Sequence, residues 1–265
     1  MSNVNRPTSR ERLDVALCRR GLTVTRSAAE NWIRLGKVTV DGRVVTRSGH
    51  FVDDTSDVKL TATEQYVSRA GLKLASVASK FDVVFRDAIV LDVGSSTGGF
   101  TDYALQNGAK KVFAIDVGTD QLHPSLRKDR RVELHEKTDI RNVYLDDAGR
   151  LMLDARKSRI KNQESNINIV VIDVSFISLR EILPHITTLI DKQSIVLAML
   201  KPQFEAGRSQ VSKGVIKNNT VRREILRDFE SWVKQYYVIE DKADSDVAGA
   251  HGNQERFYKL KRVLS

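Results

Sequence analysis

Short hydrophobic runs alternate with polar, glycine-containing stretches over most of this chain, and the runs have the length of β-strands. Four of them are almost wholly apolar and rich in β-branched residues, which is typical of parallel strands covered on both faces. Helical or loop stretches separate them, so the pattern predicts a doubly wound parallel sheet of the α/β class. The four runs lie at residues 89–93, 111–115, 168–172 and 195–200. Further candidates are a strand at 132–134 and an antiparallel pair at 236–240 and 256–260.

The chain before residue 61 has a different pattern, with two amphipathic segments of helical length followed by short strands. The helices are predicted at Ser9 to Arg20 and at Arg26 to Leu35, where Gly36 ends the second. Alternation around Asp41-Gly42 predicts a hairpin, and Val58 to Leu60 supplies a further strand. These residues therefore predict a small α+β unit.

This change of pattern predicts two domains joined by a polar linker. The α+β domain takes residues 1–60, the linker 61–65 and the α/β domain 66–265. The α/β domain starts with a helix from Tyr66 to about Phe81. Residues 150–162 carry several basic side chains and predict a solvated helix or loop. Residues 205–223 have no clear period and are either a mobile lid or an ordinary surface loop.

Composition places the chain among ordinary folded proteins of a reducing compartment. It has 265 residues, of which 41% are hydrophobic, enough for a substantial core. The longest apolar run spans six residues, Ile195 to Leu200, whereas a membrane helix needs roughly twenty. The polar N-terminus is unlike a signal peptide, and one cysteine, Cys18, excludes an internal disulfide and a zinc site. We therefore expect a cytoplasmic protein with no membrane insertion and no bound metal.

Positive charge is concentrated at the N-terminus. The net charge is +9, and residues 1–50 hold ten Lys or Arg against four acidic residues, a net +6. Such an excess favours a polyanionic partner.

The stretch Ala88 to Asp102 joins a strand, a glycine loop and a helix start. Its spacing is G-x-x-x-G-G and not the G-x-G-x-x-G of dinucleotide sites, so a nicotinamide or flavin dinucleotide is disfavoured. Glycines after a strand also occur in βα turns that bind nothing. Asp116, at the end of the next strand, stands where an acidic residue accepts both hydroxyls of a ribose. Together these features favour a ligand with ribose and adenine but no phosphate.

The run D-V-G-S-S-T-G-G-F-T-D, followed by A-I-D-V-G, resembles the S-adenosylmethionine loop of the FtsJ-like ribose methyltransferases, and within them that of the TlyA family. The resemblance implies a Rossmann-like sheet that binds S-adenosyl-L-methionine. Asp139 is expected at the adenine, although a helix cap is an equally reasonable role for it. The implied cofactor-binding residues are Asp92, Gly94, Ser95, Ser96, Thr97, Gly98, Gly99, Phe100, Asp116, Val117, Asp139 and Asp173.

The run T-R-S-A-A-E-N-W-I-R-L-G-K-V-T-V-D-G resembles the small RNA-binding module named after ribosomal protein S-four. In that module two helices present a basic face to folded RNA, mainly to phosphate and 2′-hydroxyl groups. The alternative is a solvated, charged helix pair without a partner. The expected RNA-binding residues are Arg10, Arg12, Arg19, Arg20, Arg26, Arg34 and Lys37.

Three further segments resemble motifs of the TlyA family: S-R-A-G-L-K-L, I-D-V-S-F-I-S-L and A-G-A-H-G-N-Q-E. A fourth, K-P-Q-F-E, follows a buried strand and is expected at the same sheet edge as Asp173. The resemblance implies a catalytic set of Lys73, Asp173, Lys201 and Glu255. Lys201 is expected to be the base or the group that orients the hydroxyl, with Lys73 beside it and the carboxylates holding their geometry. Thr119 and Asp120 depart from the family pattern near the cosubstrate.

The function implied by the resemblance is ribose 2′-O-methylation of ribosomal RNA, on cytidines of 16S rRNA, 23S rRNA or both, with ribosomal subunits as partners. One alternative is an RNA-binding ribosome assembly factor with a vestigial methyltransferase domain. Another is a membrane-acting haemolysin, although no apolar run supports pore formation.

Overall fold

The computed structural model describes residues 10–23, 26–34, 36–61, 66–145, 151–153, 158–159, 167–207, 214–216, 218–249 and 252–263. The chain divides into two compact units, Met1–Gln65 and Tyr66–Ser265. Of the predicted linker, 61–65, all but Thr61 lies outside the described residues.

The N-terminal unit contains two helices and short antiparallel strands. Its elements are β1 (Glu11–Arg12), α1 (Leu13–Arg19), α2 (Arg26–Arg34), β2 (Val38–Val40), β3 (Arg43–Val44), β4 (Phe51–Val52) and β5 (Val58–Leu60). Strand β2 lies between β3 and β5, and β1 pairs with β4. Asp41 and Gly42 both have positive φ, as the predicted two-residue hairpin turn requires. Leu17, Ile33 and Val38 are fully buried and form part of the core of this unit.

The predicted start of the first helix at Ser9 is wrong. Glu11 and Arg12 are extended and pair with Val52 and Phe51, so the helix begins only at Leu13. Residues 11 and 12 form backbone hydrogen bonds with a strand about forty residues later in the chain instead of extending the helix. A local helical period does not reveal such a distant partner.

The C-terminal unit is a doubly wound α/β fold. Its first half contains α3 (Arg69–Ala78), β6 (Ile89–Val93), α4 (Gly99–Gln106), β7 (Lys111–Ile115), α5 (Pro124–Arg127), β8 (Val132–His135), β9 (Val143–Leu145), β10 (Leu151–Leu153) and β11 (Ser158–Arg159). Its second half contains β12 (Ile169–Ile172), α6 (Leu183–Ile186), β13 (Ile195–Leu200), α7 (Pro202–Glu205), α8 (Asn219–Val233), β14 (Tyr237–Asp244) and β15 (Arg256–Arg262).

Seven of the described strands form the central sheet, in the order β14-β15-β13-β12-β6-β7-β8. The pairs from β13 to β8 are parallel, whereas β15 is antiparallel to both of its neighbours. Helices α3 and α4 cover one face with residues such as Leu74 and Phe100, and α6 and α8 cover the other with Leu183 and Phe229. Burial on both faces explains why the central strands are continuous apolar runs.

Strand order reverses between β6 and β12. From β6 the chain builds outwards through β7 and β8, and it then returns to place β12 on the other side of β6. In open α/β sheets this switch point, at the carboxyl ends of the strands, is where ligands bind.

Two segments differ from the sequence prediction. Within 150–162 the described residues form the short strands β10 and β11 and no helix, in a small antiparallel sheet with β9. Residues 219–223, predicted as part of a lid or loop, begin the fifteen-residue helix α8. Its buried positions Ile225, Phe229 and Val233 recur every four residues, but the charged residues between them obscured that period. Residues 208–213 and 217 lie outside the described part of the chain.

Candidate active site

The predicted site residues come together because four neighbouring strands end, and a fifth begins, at one edge of the sheet. Asp116 follows β7, Gly94 follows β6, Asp173 follows β12 and Lys201 follows β13. Glu255 precedes β15, whose first residue lies opposite the last residue of β13, so it meets the same edge from the other direction. Neighbouring strands lie about 4.8 Å apart, which places these groups in a single row.

Gly94 is required where the two central strands meet. Its φ is +82°, and a Cβ there would lie 2.7 Å from the carbonyl oxygen of Asp173. Gly98 also has a positive φ, +96°, and precedes α4 as its N-cap. The glycines therefore permit a backbone path that residues with larger side chains would strain.

A cavity of about 370 Å³ opens at this switch point. Of the predicted cofactor-binding residues, those that line it are Gly94, Ser96, Asp116, Val117, Asp139 and Asp173. The predicted residues that are not part of its lining are Asp92, Ser95, Thr97, Gly98, Gly99 and Phe100. The sequence did not point to Gln121 or Thr138, which also line the cavity.

Asp92 and Phe100 support the loop from beneath. Asp92 is fully buried, and its Oδ2 accepts a 2.6 Å hydrogen bond from the Thr101 hydroxyl in α4. Burial raises the pKa of the Asp92 carboxyl to about 7, an effect that the Thr101 hydroxyl only partly offsets. Phe100 packs against Phe257 in the core, with ring centroids 5.9 Å apart. Both residues position the strand-to-helix turn.

Asp116 is held with its carboxylate at the cavity. Its Oδ2 accepts from the Ser96 amide at 2.8 Å and its Oδ1 from the Gly118 amide at 2.7 Å. A carboxylate oxygen can accept more than one hydrogen bond, so both oxygens retain capacity for the two hydroxyls of a ribose.

Asp139 combines the two roles considered from sequence. It caps the short helical turn Ile140–Asn142 by accepting from the Arg141 amide, and it also lines the cavity. Hydrogen bonds from Arg141, only partly opposed by burial, hold the pKa of the Asp139 carboxyl below its usual range. It is therefore a preorganised acceptor.

The charge of the cavity fits S-adenosylmethionine. Its described lining includes the carboxylates of Asp116, Asp139 and Asp173 but no lysine or arginine. Arg141 and Lys201 offset the charges of Asp139 and Asp173, so Asp116 gives the described lining its net negative charge, which attracts a sulfonium cation and would repel the pyrophosphate of a dinucleotide. The fully buried Oδ1 of Asp92 and the buried Oγ of Ser95 have no hydrogen-bond partner within the described structure.

Lys201 and Asp173 form an ion pair beside this cavity. Lys201 Nζ lies 2.6 Å from Asp173 Oδ1 and donates a 2.8 Å hydrogen bond to Ser175 Oγ. The side chains of Lys201 and Asp173 are only 11% and 14% exposed. Two fixed contacts orient the ammonium and leave one N–H direction for a substrate oxygen.

Lys73 and Glu255 form a second, more deeply buried pair, with Nζ 2.5 Å from Oε2. Lys73 lies on α3, and that helix is tied to the loop before Glu255 by Arg69, which donates to the Ala248 carbonyl at 2.6 Å. Gly249 leaves room for the carboxylate, because a Cβ there would meet Glu255. The pair thus joins the N-terminal helix of the unit to its last strand.

Phe176 lies within the motif I-D-V-S-F-I-S-L, but the sequence did not predict a role for it at the site. It lines the cavity, is 92% exposed and has a φ of +65°, a strained conformation for a bulky residue. Its ring lies 5.2 Å from that of Phe204 in α7. The loop is fixed by Glu205, whose carboxylate accepts from the Ser178 hydroxyl and the Leu179 amide. An exposed aromatic face therefore stands beside Lys201.

The predicted RNA-binding residues of the N-terminal unit have different surroundings. Arg12 and Arg26 both donate to the buried carboxylate of Asp14. Arg20 donates to two backbone carbonyls, those of Asp53 and Ser56.

The remaining members of the set differ in their surroundings. Arg19 pairs with Glu11 and Asp54, and Arg10 and Lys37 are exposed. The side chain of Arg34 lies outside the described residues. Their contact with RNA stays a prediction.

The described residues form neither a membrane-spanning helix nor a metal-binding cluster. No described helix combines the length and the apolar character needed to cross a membrane. No group of three or more His, Cys, Asp or Glu side chains within the described ranges is arranged to hold a metal ion.

Comparison with known families agrees with this geometry. A family model described as FtsJ-like methyltransferase matches residues 66–262, and one described as S4 domain matches residues 11–58. The match to the first model covers most of the chain and contains all four residues of the predicted catalytic set.

Individual proteins resemble the chain over nearly its full length. A candidate rRNA methyltransferase of Bacillus subtilis, YqxC, is 40% identical over 94% of this chain and 84% of its own. The 16S/23S rRNA (cytidine-2′-O)-methyltransferase TlyA of Mycobacterium tuberculosis is 33% identical over 95% of this chain and 90% of its own. A solved structure of a candidate hemolysin from Streptococcus thermophilus has a TM-score of 0.71 and 35% identity, and covers 97% of this chain and 90% of that one.

Proposed function

This chain belongs to the FtsJ-like methyltransferase family, and from that membership together with the relative named as a 16S/23S rRNA (cytidine-2′-O)-methyltransferase we propose that it methylates the ribose 2′-hydroxyl of cytidines in 16S rRNA, 23S rRNA or both. It is an S-adenosylmethionine-dependent methyltransferase with an S4 domain at its N-terminus. Relatives named for rRNA methylation support the choice of ribosomal RNA as substrate. A cytoplasmic location is part of the same proposal.

The observation that carries the proposal is the row of two lysine–carboxylate pairs beside an acidic cavity. Lys201–Asp173 and Lys73–Glu255 lie at the carboxyl edge of the sheet, and Asp173 also lines the cavity. A ribose hydroxyl is a weak acid and a weak nucleophile, so methyl transfer needs its oxygen aimed and its proton accepted. A lysine held in such a pair can aim the oxygen as an ammonium or accept its proton as a neutral amine.

In the proposed reaction S-adenosylmethionine supplies the methyl group from its sulfonium. The 2′-oxygen forms a bond to the methyl carbon while the carbon–sulfur bond breaks and its electron pair stays on sulfur. The hydroxyl proton passes to Lys201 Nζ when that group is a neutral amine, and to water when it is an ammonium. Asp173 and Ser175 fix the position of Lys201 Nζ, so the geometry is set before the substrate arrives.

Lys201 can serve this step in two ways. As an ammonium it donates an N–H to the 2′-oxygen and orients the oxygen's remaining lone pair towards the methyl group. As a neutral amine it accepts the hydroxyl proton. A single-turnover rate that rises tenfold per pH unit below a plateau indicates the amine, and a flat profile indicates the ammonium.

Phe176 and the S4 domain support an RNA substrate over a free nucleoside. An exposed aromatic ring at the site can stack on an unpaired base. In the N-terminal unit the basic residues Arg10, Arg12, Arg19, Arg20, Arg26, Arg34 and Lys37 are proposed to dock on folded rRNA by phosphate contacts. Docking by one unit and catalysis by the other would account for both parts of the chain.

The test is methyl transfer from labelled S-adenosylmethionine to unmodified ribosomal subunits, followed by mapping of 2′-O-methyl groups in the extracted rRNA. The proposal expects incorporation at cytidine. Stable binding of the subunits without any incorporation would instead favour a ribosome assembly factor.

A further inference from the structure

A second basic surface lies on the methyltransferase unit, and its described lining shares no residue with that of the cosubstrate cavity. We name it the basic groove: a cavity of about 380 Å³ between α8, β14 and β15. Its lining includes Arg223 and Arg227 from α8, Lys242 from β14 and Arg256 from β15, against one carboxylate, Glu230. Three consecutive elements of the chain thus converge on one positively charged depression.

The internal ion pairs of the groove leave two arginines unneutralised. Lys242 pairs with Glu230 at 2.7 Å, and Arg256 pairs with Asp244 at 2.7 Å. Within the described structure neither Arg223 nor Arg227 has an ion pair with a carboxylate, and both are exposed. They lie four residues apart on α8 and therefore share one face of the helix.

The groove begins at the catalytic edge of the sheet. Arg256 directly follows Glu255, and because successive strand residues point to opposite faces, Arg256 faces α8 while Glu255 faces Lys73. The first turn of α8 is held at the same edge, since Arg222 donates to the carbonyl of Gln254 and to Asp244. Arg223 is thus close to that edge and Arg227 lies one turn further along the helix.

We propose that the basic groove binds the phosphate backbone of the substrate RNA next to the target nucleotide. The chemistry favours phosphate over a protein partner, because the lining is charged and its one apolar member, Leu226, is only 3% exposed. Arginine on a helix face presents several N–H donors to phosphate oxygens. This inference rests on the proposed function, since it needs an RNA at the catalytic edge.

The test compares RNA binding by the full-length protein and its R223Q/R227Q variant at several salt concentrations. Loss of two phosphate contacts should weaken binding to unmodified ribosomal subunits by roughly 5- to 30-fold near physiological salt. If both contacts are lost, the slope of log affinity against log salt concentration should also become shallower by about 1.4 to 1.8. The apparent KM for RNA should rise in parallel, with kcat at saturating RNA and the affinity for S-adenosylmethionine unchanged.

The matched control is K192Q/K234Q, which removes the same charge from two exposed lysines. Lys192 precedes β13 and Lys234 precedes β14, so both lie at the opposite edge of the sheet. The control should behave as wild type in every assay.

Equal losses in both variants would mean that only net charge matters and would overturn the inference. So would an R223Q/R227Q variant with unchanged affinity and salt slope. Failure of the wild-type protein to methylate the RNA is a separate result, which refutes the proposed function itself.

Discussion

Replacing Lys201 by alanine should stop methyl transfer while leaving cosubstrate binding intact. Lys201 Nζ lies 2.6 Å from Asp173 Oδ1, and it is not part of the cavity lining. Loss of proton transfer and hydroxyl alignment should lower the single-turnover rate by roughly 10²- to 10⁴-fold. That corresponds to a barrier higher by about 3–5 kcal/mol. The dissociation constant of S-adenosylmethionine should change by less than about threefold, which is under 1 kcal/mol.

The same change should destabilise the fold, because it leaves the Asp173 carboxylate without its counter-ion. With side chains 11% and 14% exposed, we expect a loss of roughly 1–3 kcal/mol in the free energy of unfolding. The double variant Lys201→Ala/Asp173→Asn should recover part of that loss and none of the activity. This separates an effect on chemistry from an effect on stability.

The assay is a single-turnover methyl transfer with labelled S-adenosylmethionine, accompanied by calorimetric titration of the cosubstrate and thermal unfolding. Lys192→Ala, at the opposite sheet edge, is the control. A Lys201→Ala rate within about threefold of wild type, well short of the 10²-fold expected from general acid–base catalysis, would refute the role assigned to Lys201. Loss of cosubstrate binding together with activity would show that the cavity depends on the ion pair.

Three further predictions concern the loop and the N-terminal unit. Asp116→Ala should weaken S-adenosylmethionine binding by roughly 10- to 100-fold, measured by calorimetry, since charge-assisted hydrogen bonds to the ribose are lost; an unchanged affinity contradicts the ribose assignment. Gly94→Ala should lower Tm and abolish cosubstrate binding, because the new Cβ would lie 2.7 Å from a carbonyl oxygen; a fully active variant would disprove this. Burial opposes ionisation of Asp14, yet its two arginine partners hold the pKa at about 2. That stability is present above about pH 4 and lost as pH falls through 2, so the Tm difference between wild type and Asp14→Asn should shrink across that window; a constant difference argues against the ion cluster.

Local patterns were enough for the central strands of the large sheet and for the glycine loop, because each depends on neighbours in sequence. Apolar runs at 89–93, 111–115 and 195–200 coincide with β6, β7 and β13, since strands buried on both faces must be continuously hydrophobic. The glycine loop could also be predicted from the sequence, because few residues other than glycine adopt the left-handed backbone found at Gly94 and Gly98. The resemblance to known motifs then supplied the family.

Tertiary structure decided which side chains meet and what each one contacts. That Lys201 pairs with Asp173 and Lys73 with Glu255 follows from strand order and helix packing, which join residues up to 182 positions apart. Packing of α4 on the sheet buried Asp92 and Phe100 outside the cavity lining, and the loop after β12 brought Phe176 to it. In the N-terminal unit, internal partners distinguish Arg20, bound to two carbonyls, from the exposed Arg10. The reason is that hydrophobic periodicity indicates whether a residue is buried but does not specify its distant neighbours. Those neighbours are determined only when the sheet is assembled.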